Sequence, residues 1–407
     1  MNTPAYLHTE HLLERFQALD QFLCQHQQLW RPRPFTALSL PWEAEHRELS
    51  TWLRQRTLEQ AEAADHTGAP APFAQLAEQA RQLSAVGELP DAGLHPAGHR
   101  LDVNVPGRKW QQIEAFSRRL GFNQPARHWL DWCSGKGHLG RRLLQPGQQL
   151  TCLEYDGELV EAGQALSDHH RLPATHVHQD VLADTSSQHL DGDKSAVALH
   201  ACGDLHVRLL QLASQRGCRQ LAVAPCCYNR IQGEAYLPLS TAAQASLLRL
   251  SKDDLGLPLS ETVTSGARAR RQRDLSMARR LGFDLLQREQ TASDSYLPTP
   301  SLAVSWLEKP FEDYCRDLAA LKHIALHGQP DWQAYEAAGW QRLAQVRNLE
   351  RVRNLFRRPL EMWLVLDRAL FLAEQGYAVT VGVFCEYPLT PRNLLLLAER
   401  EKPLPGS

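Results

Sequence analysis

Between residues 127 and 228, short apolar runs alternate with segments of helical periodicity, and this restricts the fold of the 407-residue chain more than any other feature. "RHWLDW" (127–132), "QLTCLEYD" (149–156), "THVHQDVL" (175–182), "SAVALHACGD" (195–204) and "CRQLAVAPCCY" (218–228) have the length and apolar character of strands. Between them, "GHLGRRLLQ" (137–145), "GELVEAGQALSDHHRL" (157–172) and "LHVRLLQLASQRG" (205–217) carry apolar residues at helical spacing. Strands joined through helices pair in parallel, with both faces covered. The pattern therefore predicts an α/β architecture. A further helix within 105–122, with Ile113, Phe116 and Leu120 as its buried stripe, precedes the first strand.

The flanks read differently. Residues 1–95 are polar and helical, with Leu12, Phe16, Leu19 and Phe22 on one face, a helix across 41–57 opened by Pro41, and a loop at 66–72. Residues 231–375 form a second helical stretch. There Phe311, Tyr314, Cys315, Leu318 and Leu321 share a face, and Pro359 and Gly376 mark the two ends of a helix. Residues 377–400 read as two strands joined by a proline-containing turn. The expected division is a helical extension (1–95), an α/β core (105–230), a helical insertion (231–375) and closing strands (376–407). The apolar stretch 362–384 is broken by Asp367, Arg368 and Glu374, so it reads as a helix followed by a strand and not as a membrane span. The N-terminus has no basic start followed by an apolar core, so no signal peptide is expected. Nine cysteines, two of them adjacent, do not suggest a secreted disulfide framework, and a cytoplasmic setting is expected.

The turn after the first strand, "LDWCSGKGHLGRRLL" (130–144), fits two cofactors. From Gly135 it reads G-x-G-x-x-G, a dinucleotide fingerprint; from Asp131 it reads D-x-C-x-G-x-G, close to the first motif of S-adenosylmethionine (SAM) methyltransferases. Gly135 and Gly137 permit positive φ and close backbone approach to a ligand. Glu154, at the end of the second strand, suits a ribose in either case. Asp131 favours SAM: a carboxylate there repels a pyrophosphate and attracts the ammonium of a methionine moiety. Asp180, after Gln179, can accept from an adenine amino group. Gly140 is explained by close helix–strand packing.

"RKWQQIEAF", "DWCSGKGHLG", "LEYD", "ALHACGDL" and "APCCYN", in that order, resemble SAM-dependent methyltransferase domains of the methyltransferase-like protein 25 group, which includes the glutathione S-transferase C-terminal-domain-containing protein. The resemblance covers about 105–230 and returns at "LDRALFLAEQG" and "TPRNLLLLAE". It implies a Rossmann-like, seven-strand class I methyltransferase sheet with its seventh strand antiparallel, and SAM as cofactor. It carries Asp131, Cys133, Gly135 and Gly137 over as the first motif, Glu154 as the ribose acid and Asp180 as the residue beside adenine. Tyr155 and Val181 are expected with them, and so is His200. Cys133 stands where many methyltransferases have glycine.

Methyl transfer needs alignment of donor and acceptor, with a general base for an acidic acceptor. His200, Cys226, Cys227 and Tyr228 are the catalytic candidates: His200 as base, the cysteines with Cys202 shaping the acceptor pocket, and Tyr228 closing it beside Asn229. The competing readings are packing under the cofactor for the cysteines, a hydrogen-bonded structural histidine for His200 and packing on the sheet end for Tyr228. A metal is not expected, because there is no C-x-x-C pair and neighbours along a strand point to opposite faces. Asp204 is expected to cap the helix from Leu205, and Lys136 and His138 to face solvent. The formal charge of −2 excludes a polyanion-binding surface over the whole chain, but 266–280 concentrates Arg268, Arg270, Arg271, Arg273, Arg279 and Arg280 against Asp274. That run and the added helices point to a macromolecular acceptor, RNA or protein. A small-molecule methyltransferase, a non-catalytic SAM-binding or partner-docking protein and a nicotinamide oxidoreductase are the alternatives.

Overall fold

A computed structural model describes residues 5–62, 67–96, 98, 100–260 and 267–400. The chain divides into two compact units: residues 1–24, 83–263 and 357–407, and residues 25–82 with 264–356. This grouping cuts across the segment boundaries read from the sequence. Both the N-terminal extension and the helical insertion contribute to each unit.

The first unit holds one eight-stranded sheet. Its strands are β1 (Leu7–His8), β2 (His128–Trp132), β3 (Gln149–Glu154), β4 (Ala174–His178), β5 (Lys194–Leu199), β6 (Gln220–Ala224), β7 (Ala378–Val383) and β8 (Leu394–Glu399). The spatial order is β1-β7-β8-β6-β5-β2-β3-β4. Strands β2 to β6 are parallel, and β8 runs antiparallel to both β6 and β7. This is a class I methyltransferase sheet, as the resemblance implied, with one strand more than expected. The additional strand, β1, is antiparallel to β7 through Leu7↔Val381 and His8↔Thr380 and pairs what would be the open edge of β7. Two residues are too short to leave a periodic signal.

The central strands are apolar on both faces, the pattern of a doubly covered sheet: β6 and β8 are buried throughout, and β2 is buried from Trp129 to Trp132. Helix α1 (Thr9–Gln25) buries Leu12, Phe16, Leu19 and Phe22 as its spacing predicted. Helix α2 (Gly107–Arg118) buries Ile113 and Phe116 in the cluster that includes Trp129, Leu139 and Leu150. Helices α3 (His138–Leu143), α4 (Gly157–His169) and α5 (Asp204–Gln215) follow β2, β3 and β5. The Asp156 carboxylate accepts the Glu158 and Leu159 N–H groups and starts α4. Helix α6 (Arg357–Glu374) is buried along most of its length, and its Asp367 accepts from Ser240, Leu239 and Tyr236. No described helix is long and apolar enough to cross a membrane, and no disulfide forms among the described residues.

The second unit is helical. Helices Ala267–Thr291 and Trp332–Asn354 cross at glycines: a Cβ on Gly339 would stand 2.4 Å from the Ala278 carbonyl oxygen. The predicted 41–57 helix is a short 3-10 turn, Pro41–Glu43, and then Arg47–Gln55, with the Glu43 carboxylate accepting from Leu40 N–H and Arg54. In Phe311–Leu321 the predicted face is buried except Leu321, which is 53% exposed.

Candidate cofactor and active site

The parallel register aligns the carboxyl ends of β2 to β6 along one edge, and β2 lies between β3 and β5. Chain order reverses there, the position at which open α/β sheets bind ligands. A cavity of about 370 Å³ opens at that edge, lined by Cys133, Glu154, Tyr155, Gln179, Asp180, Val181, Leu182 and Leu205. Its size suits a nucleoside-sized ligand.

The turn after β2 is built from positive-φ residues: Cys133 at +57°, Gly135 at +55° and Gly137 at +72°. Cys133 thus takes on a side chain the conformation that favours glycine, and burial pushes its thiol up to about 12. A Cβ on Gly137 would lie 2.5 Å from His176 Cε1, whereas Gly135 faces open space. Gly140 meets Leu150 and Asp131 in the same way, which fits the packing reading of that residue.

Glu154 clamps the turn. Its Oε2 accepts Gly135 N–H at 2.8 Å, and its Oε1 accepts Tyr155 and Asp156 N–H at 2.9 and 3.0 Å. Three of about four carboxylate acceptor sites are filled, leaving one for a ribose hydroxyl. Asp180 is exposed and spends Oδ1 on Leu182 N–H. Tyr155 is 69% exposed and presents a ring at the cavity, near His178.

Cys133, Glu154, Tyr155, Asp180 and Val181 therefore meet at the cavity, and Gln179, Leu182 and Leu205 join them. Asp131, Gly135, Gly137 and His200 are not among its walls. Asp131 is buried under the turn, and Oδ2 accepts Gly140 N–H at 2.9 Å. Burial raises its carboxyl to about 7. Through its bond to Gly140, Asp131 staples β2 to α3. Lys136 is exposed as expected, but His138 is buried beside Arg141, 3.1 Å from its guanidinium, and burial lowers it to about 4.

His200, in positive φ (+70°) after β5, bonds its Nε2 to Gln112 Oε1 at 2.7 Å. His200 is exposed at the surface, yet the atoms packed around its ring, with Lys109 and Arg392 nearby, lower its pKa. Gln112 was legible only as part of "RKWQQIEAF". Tyr228 is not among the walls of this cavity. It is 1% exposed, its hydroxyl reaches Glu361 at 3.4 Å, and its ring lies beneath Arg368. Asp204 does not cap α5; Gly203 holds the cap position, and the Asp204 carboxylate accepts Gln232 N–H at 2.7 Å. The sequence reading also missed His206, which donates to the Ala201 carbonyl and accepts from Arg368 at 2.7 Å inside the core. Its signal, a lone histidine on a helix, is indistinguishable from an exposed one.

The cysteines gather as expected, but the argument against a metal does not hold. Strand β6 ends at Ala224 because Pro225 has no N–H for the ladder, so Cys226 and Cys227 lie in the following loop, where strand alternation does not apply. The Sγ atoms of Cys202, Cys226 and Cys227 lie within 4.8 Å of one another. The Cys226 hydrogen bond holds the Cys227 thiol below its ordinary range, assisted by Cys202, Arg392 and Arg230.

Residues 108–234 match the family model described as a methyltransferase domain. That stretch is similar to methyltransferase domains. No curated protein matches the chain. Among solved structures it is similar to magnesium protoporphyrin IX methyltransferase from Synechocystis with bound SAH (14% identity, 31% of this chain and 60% of that one, TM-score 0.25). It is also similar to precorrin-6y C5,15-methyltransferase from Geobacter metallireducens (12% identity, 31% and 66%, TM-score 0.23). A third is a SAM-dependent methyltransferase from Clostridium acetobutylicum (14% identity, 30% and 52%, TM-score 0.22). The chain spans 60% of the first of these and about half of the third. The match covers β2 to β6 and the turn, while β1, β7, β8 and all of the second unit lie outside it.

Proposed function

We propose that this chain transfers a methyl group from SAM to a macromolecular acceptor, an RNA or a protein, in a reducing cytoplasmic setting. The observation that carries the reading is the cavity between the positive-φ turn and the ends of β3 and β4, walled by Cys133, Glu154, Tyr155, Asp180 and Val181. Those residues fit SAM: a carboxylate with one acceptor site left for the ribose, an exposed ring and a buried valine for the adenine, and an exposed Asp180 for its amino group. The bound cofactor supplies an electrophilic methyl on a sulfonium. The chain's own residues orient and exclude water. Glu154 fixes the turn through Gly135, and Leu182 and Leu205 line the wall with apolar surface. His200, held by Gln112, is our candidate for accepting a proton from an acidic acceptor. The ordered motifs support placing the domain with the methyltransferase-like protein 25 group.

The macromolecular acceptor rests on the exposed Arg268, Arg270 and Arg271 of helix Ala267–Thr291. The basic surface is narrower than the sequence suggested. Arg279 is buried against the Tyr314 ring and the Trp306 carbonyl, Arg280 reaches the Pro300 carbonyl, and Asp274 pairs with Arg347 at 2.8 Å. Transfer of labelled methyl from SAM into cell extract, followed by nuclease or protease digestion, tests the proposal. Label lost to one digestion supports it, and reversal of the three arginines to glutamate should cut incorporation about 10-fold or more. Label confined to small molecules contradicts the acceptor class.

A further inference from the structure

We infer that Cys202, Cys226 and Cys227 bind one zinc ion as three thiolates, next to the cofactor cavity, leaving a fourth position open. The cluster has the dimensions of such a site. A tetrahedral zinc with Zn–S bonds of about 2.3 Å sets its sulfurs about 3.8 Å apart. Cys202 Sγ and Cys226 Sγ are 3.2 Å apart, and all three sulfurs fall within 4.8 Å, so small side-chain adjustments complete the geometry. Cys226 is buried, while Cys202 and Cys227 are half-buried, which leaves an entry path for the ion.

The backbone is built to hold this arrangement. The loop after β5 and the loop after β6 are clasped together: Asp204 N–H donates to Arg230 O at 3.0 Å, and Arg230 N–H donates to Cys227 O at 3.1 Å. His200, a side-chain-bearing residue, adopts φ +70° at the start of the first loop. Gly203 lies so close to the second loop that a Cβ would stand 1.9 Å from the Arg230 carbonyl oxygen. Cys202 donates to the His200 carbonyl at 3.5 Å and Cys226 to the Ala201 carbonyl at 3.9 Å, so both sulfurs are oriented by backbone. Cysteines that merely fill core volume do not require a strained loop clasped onto a second one.

The ligand set selects the ion. Thiolates favour soft or borderline metals, and zinc accepts three protein ligands with an open position. Among the described residues, no fourth cysteine, histidine, aspartate or glutamate joins the group. Binding replaces three S–H protons by the ion, so the protons leave to solvent. Leu205, three residues after Cys202, lines the cofactor cavity, so the open position belongs to the same edge of the sheet. The inference does not depend on methyl transfer occurring.

The test uses the full chain, purified reduced without chelator from zinc-supplemented cultures, with elemental analysis by plasma mass spectrometry. About one zinc per chain is expected. Cys202→Ser and Cys227→Ser should each lower retention at least about 10-fold, while Cys24→Ser retains the ion. Cobalt(II) in place of zinc should give sulfur-to-metal charge-transfer bands and the intense visible absorption of a tetrahedral site. Circular dichroism and S-adenosylhomocysteine binding on the same samples report whether each variant is folded. Folded wild type without zinc overturns the inference, as does an intact mass showing a disulfide among the three cysteines. Retention of copper but not zinc overturns the choice of ion.

Discussion

Asp131 carries the sharpest consequence at the scale of one residue. Its carboxyl lies at about 7 when folded, against an ordinary 3.8, because it is buried with one hydrogen bond to Gly140 N–H. The folded chain therefore binds more protons than the unfolded chain between those values. Stability falls as pH rises from about 4 to about 7, and the full cost is present above 7. Asp131→Asn keeps an acceptor for Gly140 N–H and removes the charge. It should be more stable than wild type by about 1–4 kcal/mol at pH 8, with the difference gone at pH 4. Urea unfolding at the two pH values measures this; a variant less stable at pH 8 contradicts it. The position of Asp131 at a strand end was legible, and so was the packing role of Gly140. The direction of the Asp131 side chain was not, because both faces of β2 are buried and alternation assigns no open face. Tyr228 misled for a related reason: the residues that cover it, Glu361 and Arg368, are more than a hundred positions away.

At the scale of the element, the turn from 133 to 137 separates two costs that sequence alone runs together. Gly135→Ala meets open space and pays only for φ +55°, about 1 kcal/mol. Gly137→Ala adds a clash with His176 at 2.5 Å and should cost about 2–4 kcal/mol. Thermal unfolding of the two variants ranks them; equal losses would contradict the packing. The five parallel strands were legible because apolar runs alternate with segments of helical spacing. Strand ends were less so. Pro225 was the available signal that β6 stops before Cys226, and reading through it gave the wrong geometry for the cysteine pair. The two-residue β1 had no signal of its own and exists through its pairing to β7.

Across the whole molecule, the sequence distinguished an α/β core from helical flanks but not the way those flanks divide. Residues 25–82 and 264–356 form one unit although some two hundred positions separate them, and only tertiary contacts reveal this. The six-arginine run likewise shrinks to three exposed arginines, because Arg273 is half-buried and Arg279 and Arg280 find carbonyl and ring partners. The central claim is that the methyltransferase domain holds SAM in the cavity at the ends of β2, β3 and β4. Isothermal titration of the full chain with S-adenosylhomocysteine tests it most directly, with Glu154→Ala as the comparison. One site per chain, weakened at least about 10-fold by Glu154→Ala in a protein that remains folded, is the predicted result. Absence of binding by folded wild type, or unchanged affinity in the variant, would contradict it.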